Sequence, residues 1–325
     1  MGNPDSLRPM QPRRVRVLAL ATATLLIAAA CGGTAASPSG AGPSQSAAAS
    51  DAASPSEAGS ASPAASAESS PSAAAIQQLA VEARDFSFGL PAQASAGVTH
   101  IALNNTGKEL HQAQVARLNA DASFEDLTAA LQNPDPSGAL ALLTLVGGPT
   151  GVAPGATGSV DLNLEAGAHV FLCFIAGADN VPHIAKGMIA PLEVTEPATA
   201  GELPTGDAEL TLQDFAFVGL DSLSAGPHTV TVTNNGPQPH EAGVVKLADG
   251  VTVPDVIELL GAAEPASGPP PWTDVGGIAG ISPGSTATMD VDLPAGDYAF
   301  VCFIPDPATG NPHLMLGMIA PLTVE

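Results

Sequence analysis

The sequence predicts an all-β protein: two tandem β-sandwiches behind a disordered Ala/Ser/Pro linker. Three observations predict it. The 325-residue chain holds 34 Gly and 31 Pro, yet its mean hydropathy is +0.24. An apolar chain this rich in turn formers reads as many short strands. From about residue 76 onward the chain repeats itself at an offset of 129 residues, the mark of a duplicated unit. Within each copy, short stretches alternate apolar and polar residues between Gly, Pro and Asn clusters, as half-buried strands do.

Residues 1–30 read as an export signal. Arg8, Arg13, Arg14 and Arg16 precede an uncharged, mostly apolar run of 14 residues, Val17–Ala30. That is too short to span a membrane, which takes about 20 residues, but suits a signal h-region. The run ends Ala28-Ala29-Ala30-Cys31-Gly32, which resembles the bacterial lipoprotein signal; Ala28 stands where that family usually has Leu. The resemblance implies lipidation at Cys31 and an extracytoplasmic protein anchored to the cell membrane, with plain secretion as the alternative. Arg13-Arg14 leaves Sec and Tat export both open. Residues 31–75 are almost wholly Ala, Ser, Pro and Gly and cannot bury a core, so they are expected to form a disordered tether.

Residues 76–195 and 207–325 are the expected domains, with 196–206 as linker. Asp85-Phe86-Ser87-Phe88 falls on Asp214-Phe215-Ala216-Phe217, His111 on His240, and Phe171, Cys173 and Phe174 on Phe300, Cys302 and Phe303. Between Leu143 and Ile175, 16 of 33 positions are identical without a gap. Gly158–Leu164 and His228–Thr233 alternate as strands; Val170–Ile175 and Tyr298–Ile304 read as short buried strands. Ser123 with Asp126, and Thr252 with Asp255, form capping boxes that start one short helix per repeat. Gly147-Gly148 and Gly276-Gly277 read as tight-turn glycines.

Each repeat holds the same four donors in the same order: His111, Cys173, His183 and Met188, then His240, Cys302, His313 and Met318. Two imidazoles, a thiolate and a weak axial thioether are the donor set of a blue-copper electron-transfer site. A lone buried Cys or Met is ordinarily core, but a full set kept twice is not explained that way. Met315 competes with Met318, yet its counterpart is Ala185. His100, His169 and His228 have no His partner in the other repeat and read as surface or strand residues.

At these residues the chain resembles the cupredoxins, the plastocyanin and azurin type of blue copper protein. The resemblance covers roughly residues 76–325. It implies Greek-key sandwiches, type 1 copper at two sites per chain, and one-electron transfer. It also implies a redox partner such as a cytochrome or a respiratory or denitrifying enzyme. The second His of each site would be the exit port, in an apolar patch beside Pro182 and Ile184 or Pro312 and Leu314. One departure is loop length: nine residues separate Cys173 from His183, and ten separate Cys302 from His313. Copper buffering or delivery by a lipoprotein is the alternative function.

Composition excludes other classes. With 9 Lys+Arg against 32 Asp+Glu and 3% aromatic residues, the chain is unsuited to phosphate or base contacts. Removing the signal takes four Arg and one Asp and leaves 5 basic against 31 acidic residues, so membrane contact is expected through the lipid anchor alone. No His-x-His pair exists to build a type 2 or trinuclear centre, and Leu172, Phe174, Val301 and Phe303 flank the cysteines where such enzymes carry His. His-Glu-x-x-His and Gly-x-Ser-x-Gly are also absent. The chain is therefore expected not to be an enzyme.

Overall fold

The computed structural model describes residues 76–133, 137–199, 201–262 and 268–325. The export signal 1–30, Cys31 and the tether 31–75 lie outside the described residues. The described residues fall in one compact unit.

The first repeat runs β1 (Gln77–Arg84), β2 (Ser87–Gly89), β3 (Gln93–Asn105), β4 (Gln114–Leu118), α1 (Phe124–Leu131), α2 (Ser137–Leu140), β5 (Leu143–Gly147), β6 (Thr157–Leu164), β7 (Gly167–Leu172) and β8 (Ile189–Thr199). The second runs β9 (Ala208–Gln213), β10 (Ala216–Val218), β11 (Gly226–Asn234), β12 (His240–Leu247), α3 (Val253–Gly261), β13 (Trp272–Ile281), β14 (Thr286–Leu293), β15 (Gly296–Val301) and β16 (Ile319–Val324). In each repeat one layer joins the first, third and sixth strands, as β1–β3–β6 and β9–β11–β14. The other joins β5–β4–β7–β8 and β13–β12–β15–β16. This is the β-sandwich the alternation predicts.

The burial pattern explains the unbroken apolar run before each Cys. Phe171 and Phe300 point into the sandwich core, while Val170 and Leu172 pack under Leu127 of α1, and Ala299 and Val301 under Val256 of α3. A strand covered on both faces has no polar side to show. Both helices start at the capping boxes expected of them. Helix α2 was not expected, and β8 continues into the stretch assigned to the linker. Gly147-Gly148 and Gly276-Gly277 are not hairpin turns: they lie at the end of β5 and inside β13, beside β-bulges. All four have φ between +124° and +129°, and a Cβ on Gly148 or Gly277 would sit 1.8 or 2.1 Å from the carbonyl oxygen of Ala113 or Ala242. Close backbone approach, and not chain reversal, demands glycine there.

The repeats face each other across a local two-fold axis. Thr150 N–H donates to the Gly277 carbonyl and Ala279 N–H to that of Gly148, and these bonds exchange under the 129-residue offset. Val160 pairs with Met289, its own counterpart. Thr288 donates to Asp161 at 2.7 Å, and Ser159 to Asp290 at 2.7 Å, again a reciprocal pair. Such self-complementary contacts are those of an isologous interface. Gln114 departs from the symmetry, donating to Gly147 within its repeat and to Gly280 across it.

Candidate metal centres

The loop carrying the first His of each site is clamped from below. Buried Asn105 donates to the carbonyls of Glu109 and Val152, both at 2.8 Å, and accepts from Gly107 N–H. Asn234 does the same with Gln238, Ile281 and Gly236. Each Cys follows directly on its buried strand. Ile184 N–H and Leu314 N–H donate to the Cys173 and Cys302 carbonyls, which seats the second His at the head of a 3₁₀ turn, His183–Lys186 or His313–Leu316. Met188 and Met318 close the loop: each donates its N–H to the carbonyl of that His and accepts from the N–H of that Cys.

The fold thus brings six predicted donors into two buried triads, His111–Cys173–His183 and His240–Cys302–His313, with ligand atoms within 4.8 Å of one another. In the first, the two Nδ1 atoms are 3.1 Å apart and Cys173 Sγ lies 3.9 and 3.5 Å from them. In the second, the Nδ1 atoms are 3.0 Å apart and Cys302 Sγ is 3.4 Å from His313 Nδ1. Met188 and Met318 are fully buried, whereas Met315 is 38% exposed.

The outer nitrogens decide the tautomers. His111 Nε2 lies 3.3 Å from Asp85, His183 Nε2 2.8 Å from Glu109, His240 Nε2 2.5 Å from Asp214 and His313 Nε2 3.1 Å from Gln238 Oε1. An acceptor at Nε2 fixes the proton there and leaves Nδ1 as a bare lone pair. Two bare lone pairs and a thiol sulfur then converge, and a cation that displaces the thiol proton would be held by all three. Burial holds the imidazoles of His111, His240 and His313 below their ordinary pKa, keeping them neutral. It pushes the Cys173 thiol up to about 11 and the Cys302 thiol higher still. A thiolate in such a site needs a metal's charge to form. Gln112 N–H and Glu241 N–H point at the two sulfurs, each at 3.5 Å. Burial also raises the Glu241 carboxyl to about 7, against the Phe303 N–H it accepts.

Six groups at the sites were missed in the sequence, Glu109 and Gln238 beside the second His among them. Asp85 and Asp214 orient the first His. Phe86 packs 5.2 Å from the His183 ring, and Phe215 4.9 Å from that of His313. The signal was present, since the Asp-Phe pair recurs in both copies. Gly107 and Gly236 leave room for the contact: a Cβ would fall 2.8 and 2.7 Å from His111 and His240 Nε2. The expected exit port is corrected. His183 and His313 are both 0% exposed, because Glu109 or Gln238 and the Phe cover the ring edge. The other histidines stand apart: His100 bonds Asp161, His228 bonds Asp207, and buried His169 bonds the Gly167 carbonyl.

No protein-family model and no curated protein matches the sequence. Solved structures do match. Dithionite-reduced auracyanin from Roseiflexus castenholzii is 16% identical, covering 38% of this chain and 99% of its own, with a TM-score of 0.26. Auracyanin A from Chloroflexus aurantiacus, a "blue" copper protein, is 15% identical over 37% of this chain and all of its own, TM-score 0.26. The copper-containing nitrite reductase of Thermus scotoductus SA-01 is 14% identical over 77% of this chain and 62% of its own, TM-score 0.22. These neighbours are of the kind that the resemblance to cupredoxins implies. A multicopper oxidase also matches. Because nitrite reductases and oxidases are enzymes, the expectation that the chain is not an enzyme is withdrawn.

Proposed function

We propose that the chain is an extracytoplasmic blue copper protein, tethered to the membrane by lipid on Cys31, that moves single electrons through two type 1 copper sites. The carrying observation is the convergence of two bare imidazole nitrogens and one thiol sulfur in each repeat. Bound copper would cycle between Cu(I) and Cu(II). His111, Cys173 and His183 would hold one ion and His240, Cys302 and His313 the other, with Met188 and Met318 as weak thioether donors.

The chain's own part is rigidity. Both imidazoles of each site are fixed at the far nitrogen, and each sulfur accepts a backbone N–H. Ligands locked by such outer partners hold one geometry, which keeps reorganisation between oxidation states small. Full burial and the locked rings favour a retained metal over one handed on, so electron transfer is preferred to buffering or delivery. A cytochrome or a respiratory or denitrifying enzyme is the proposed partner. The test is a pair of variants. Cys173→Ser and Cys302→Ser should each remove about half of the intense visible absorption of the copper-loaded chain, and the double variant all of it. Undiminished colour in the double variant would refute the assignment.

A further inference from the structure

A cavity of about 920 Å³ opens between the two repeats. Its walls are mostly apolar, with Leu131, Leu140 and Leu145 from the first repeat and Trp272 and Val301 from the second. The polar side chains along it are Gln112, Gln114, Thr150, Glu241 and Asp274 with the Trp272 indole, and among the described residues no Lys or Arg lines it. Two carboxylates with no cation beside them disfavour an anion, and the apolar walls suit a neutral ring bearing hydroxyl donors. The cavity also runs beside both metal centres, lined by neighbours of their ligands. Gln112 and Glu241, whose N–H groups bond the two sulfurs, line it, as do Phe174 and Phe303, the residues after the two cysteines. A ligand seated there is one residue away from each of two one-electron sites.

We propose that this cavity binds a hydroquinone-class reductant, a neutral dihydroxylated ring, and takes two electrons from it. This rests on the copper reading above. Both O–H bonds of the bound ring break, and its two protons leave through the open mouth to water. Its two electrons go one to each centre, reducing two Cu(II) to two Cu(I), and the ring departs as the quinone. Asp274 accepts a hydrogen bond from a ring hydroxyl. Leu140 walls the mouth.

Trp272 is the only tryptophan of the chain, so binding is read directly from its fluorescence. Metal-free chain titrated anaerobically with trimethylhydroquinone should show saturable quenching at one probe per chain. Leu140→Lys, at a residue 43% exposed and so tolerated by the fold, should weaken that binding at least tenfold, and Asp274→Asn should weaken it several-fold. Copper-loaded chain should then lose both colours per quinone formed. Linear, unsaturable quenching, quenching untouched by Leu140→Lys, or a saturated loaded chain that forms no quinone would each overturn the proposal. The metal-free titration decides the pocket without copper. A chain that quenches but takes up no copper would contradict the electron-transfer reading and not the pocket.

Discussion

Replacing Asp85 with Ala isolates what the outer partners of one site contribute. Asp85 Oδ1 accepts three bonds: from Lys108 N–H at 2.8 Å, from Glu109 N–H at 3.2 Å and from His111 Nε2–H at 3.3 Å. The first of these, helped by the others, holds its carboxyl below the ordinary range. Leaving a donor unpaired costs about 1–3 kcal/mol when it is buried. Asp85 is 30% exposed, so water re-pairs part of the loss and the low end applies. Three bonds then give about 2–3 kcal/mol in the metal-free chain. His111 loses its orientation as well, and removing such an outer partner typically costs 10- to 100-fold in metal affinity. Urea unfolding of the metal-free chain measures the first effect, and copper titration against a competing chelator the second. Asp214→Ala supplies the internal control, since it should weaken only the second site. Unchanged affinity at the first site, or equal weakening of both sites by either variant, would refute the reasoning.

Other predictions follow from single contacts. Gly148→Ala should destabilise the chain by about 3 kcal/mol or more in thermal or urea unfolding, because its φ is +129° and the Cβ meets the Ala113 carbonyl. His169 is buried with an unpaired Nε2, and burial lowers its pKa. The folded state therefore binds fewer protons there, and stability should fall as pH drops below the ordinary value of about 6.5. His169→Tyr, which copies Tyr298 of the other repeat, should reduce that loss between pH 7 and 5, leaving the share of His111, His240 and His313. Burial raises Asp274 to about 6, so its ionisation opposes folding above that pH. Asp274→Asn should stabilise the metal-free chain by about 1–2 kcal/mol at pH 8, and the gain should vanish near pH 4.

Much of this was written in the sequence because it depends on local chemistry. The alternation of Gly158–Leu164 became β6, and both capping boxes started helices. The donor sets were found by duplication: four donors surviving in the same order in both copies is a signal no single repeat carries. What was hidden depends on three-dimensional packing. The glycine pairs resemble turns in sequence, and only the neighbouring strand shows why a side chain is forbidden there. The Asp-Phe pairs lie far from the donors along the chain, so their recurrence marked the repeat without revealing that they lock the rings. The covered second His follows from Glu109 and Gln238 folding back across the site. The cavity lined by residues beside both sulfurs exists only because the repeats meet about a local two-fold, which sequence identity between the copies does not specify.

The central claim is tested most directly by metal stoichiometry and visible spectrum on one sample of purified chain, oxidised and then reduced. Two coppers per chain, with an intense blue band that bleaches on reduction and returns on reoxidation, are the expected result. Copper bound without that band, or no copper bound by a folded chain, would contradict the assignment of both triads as type 1 sites.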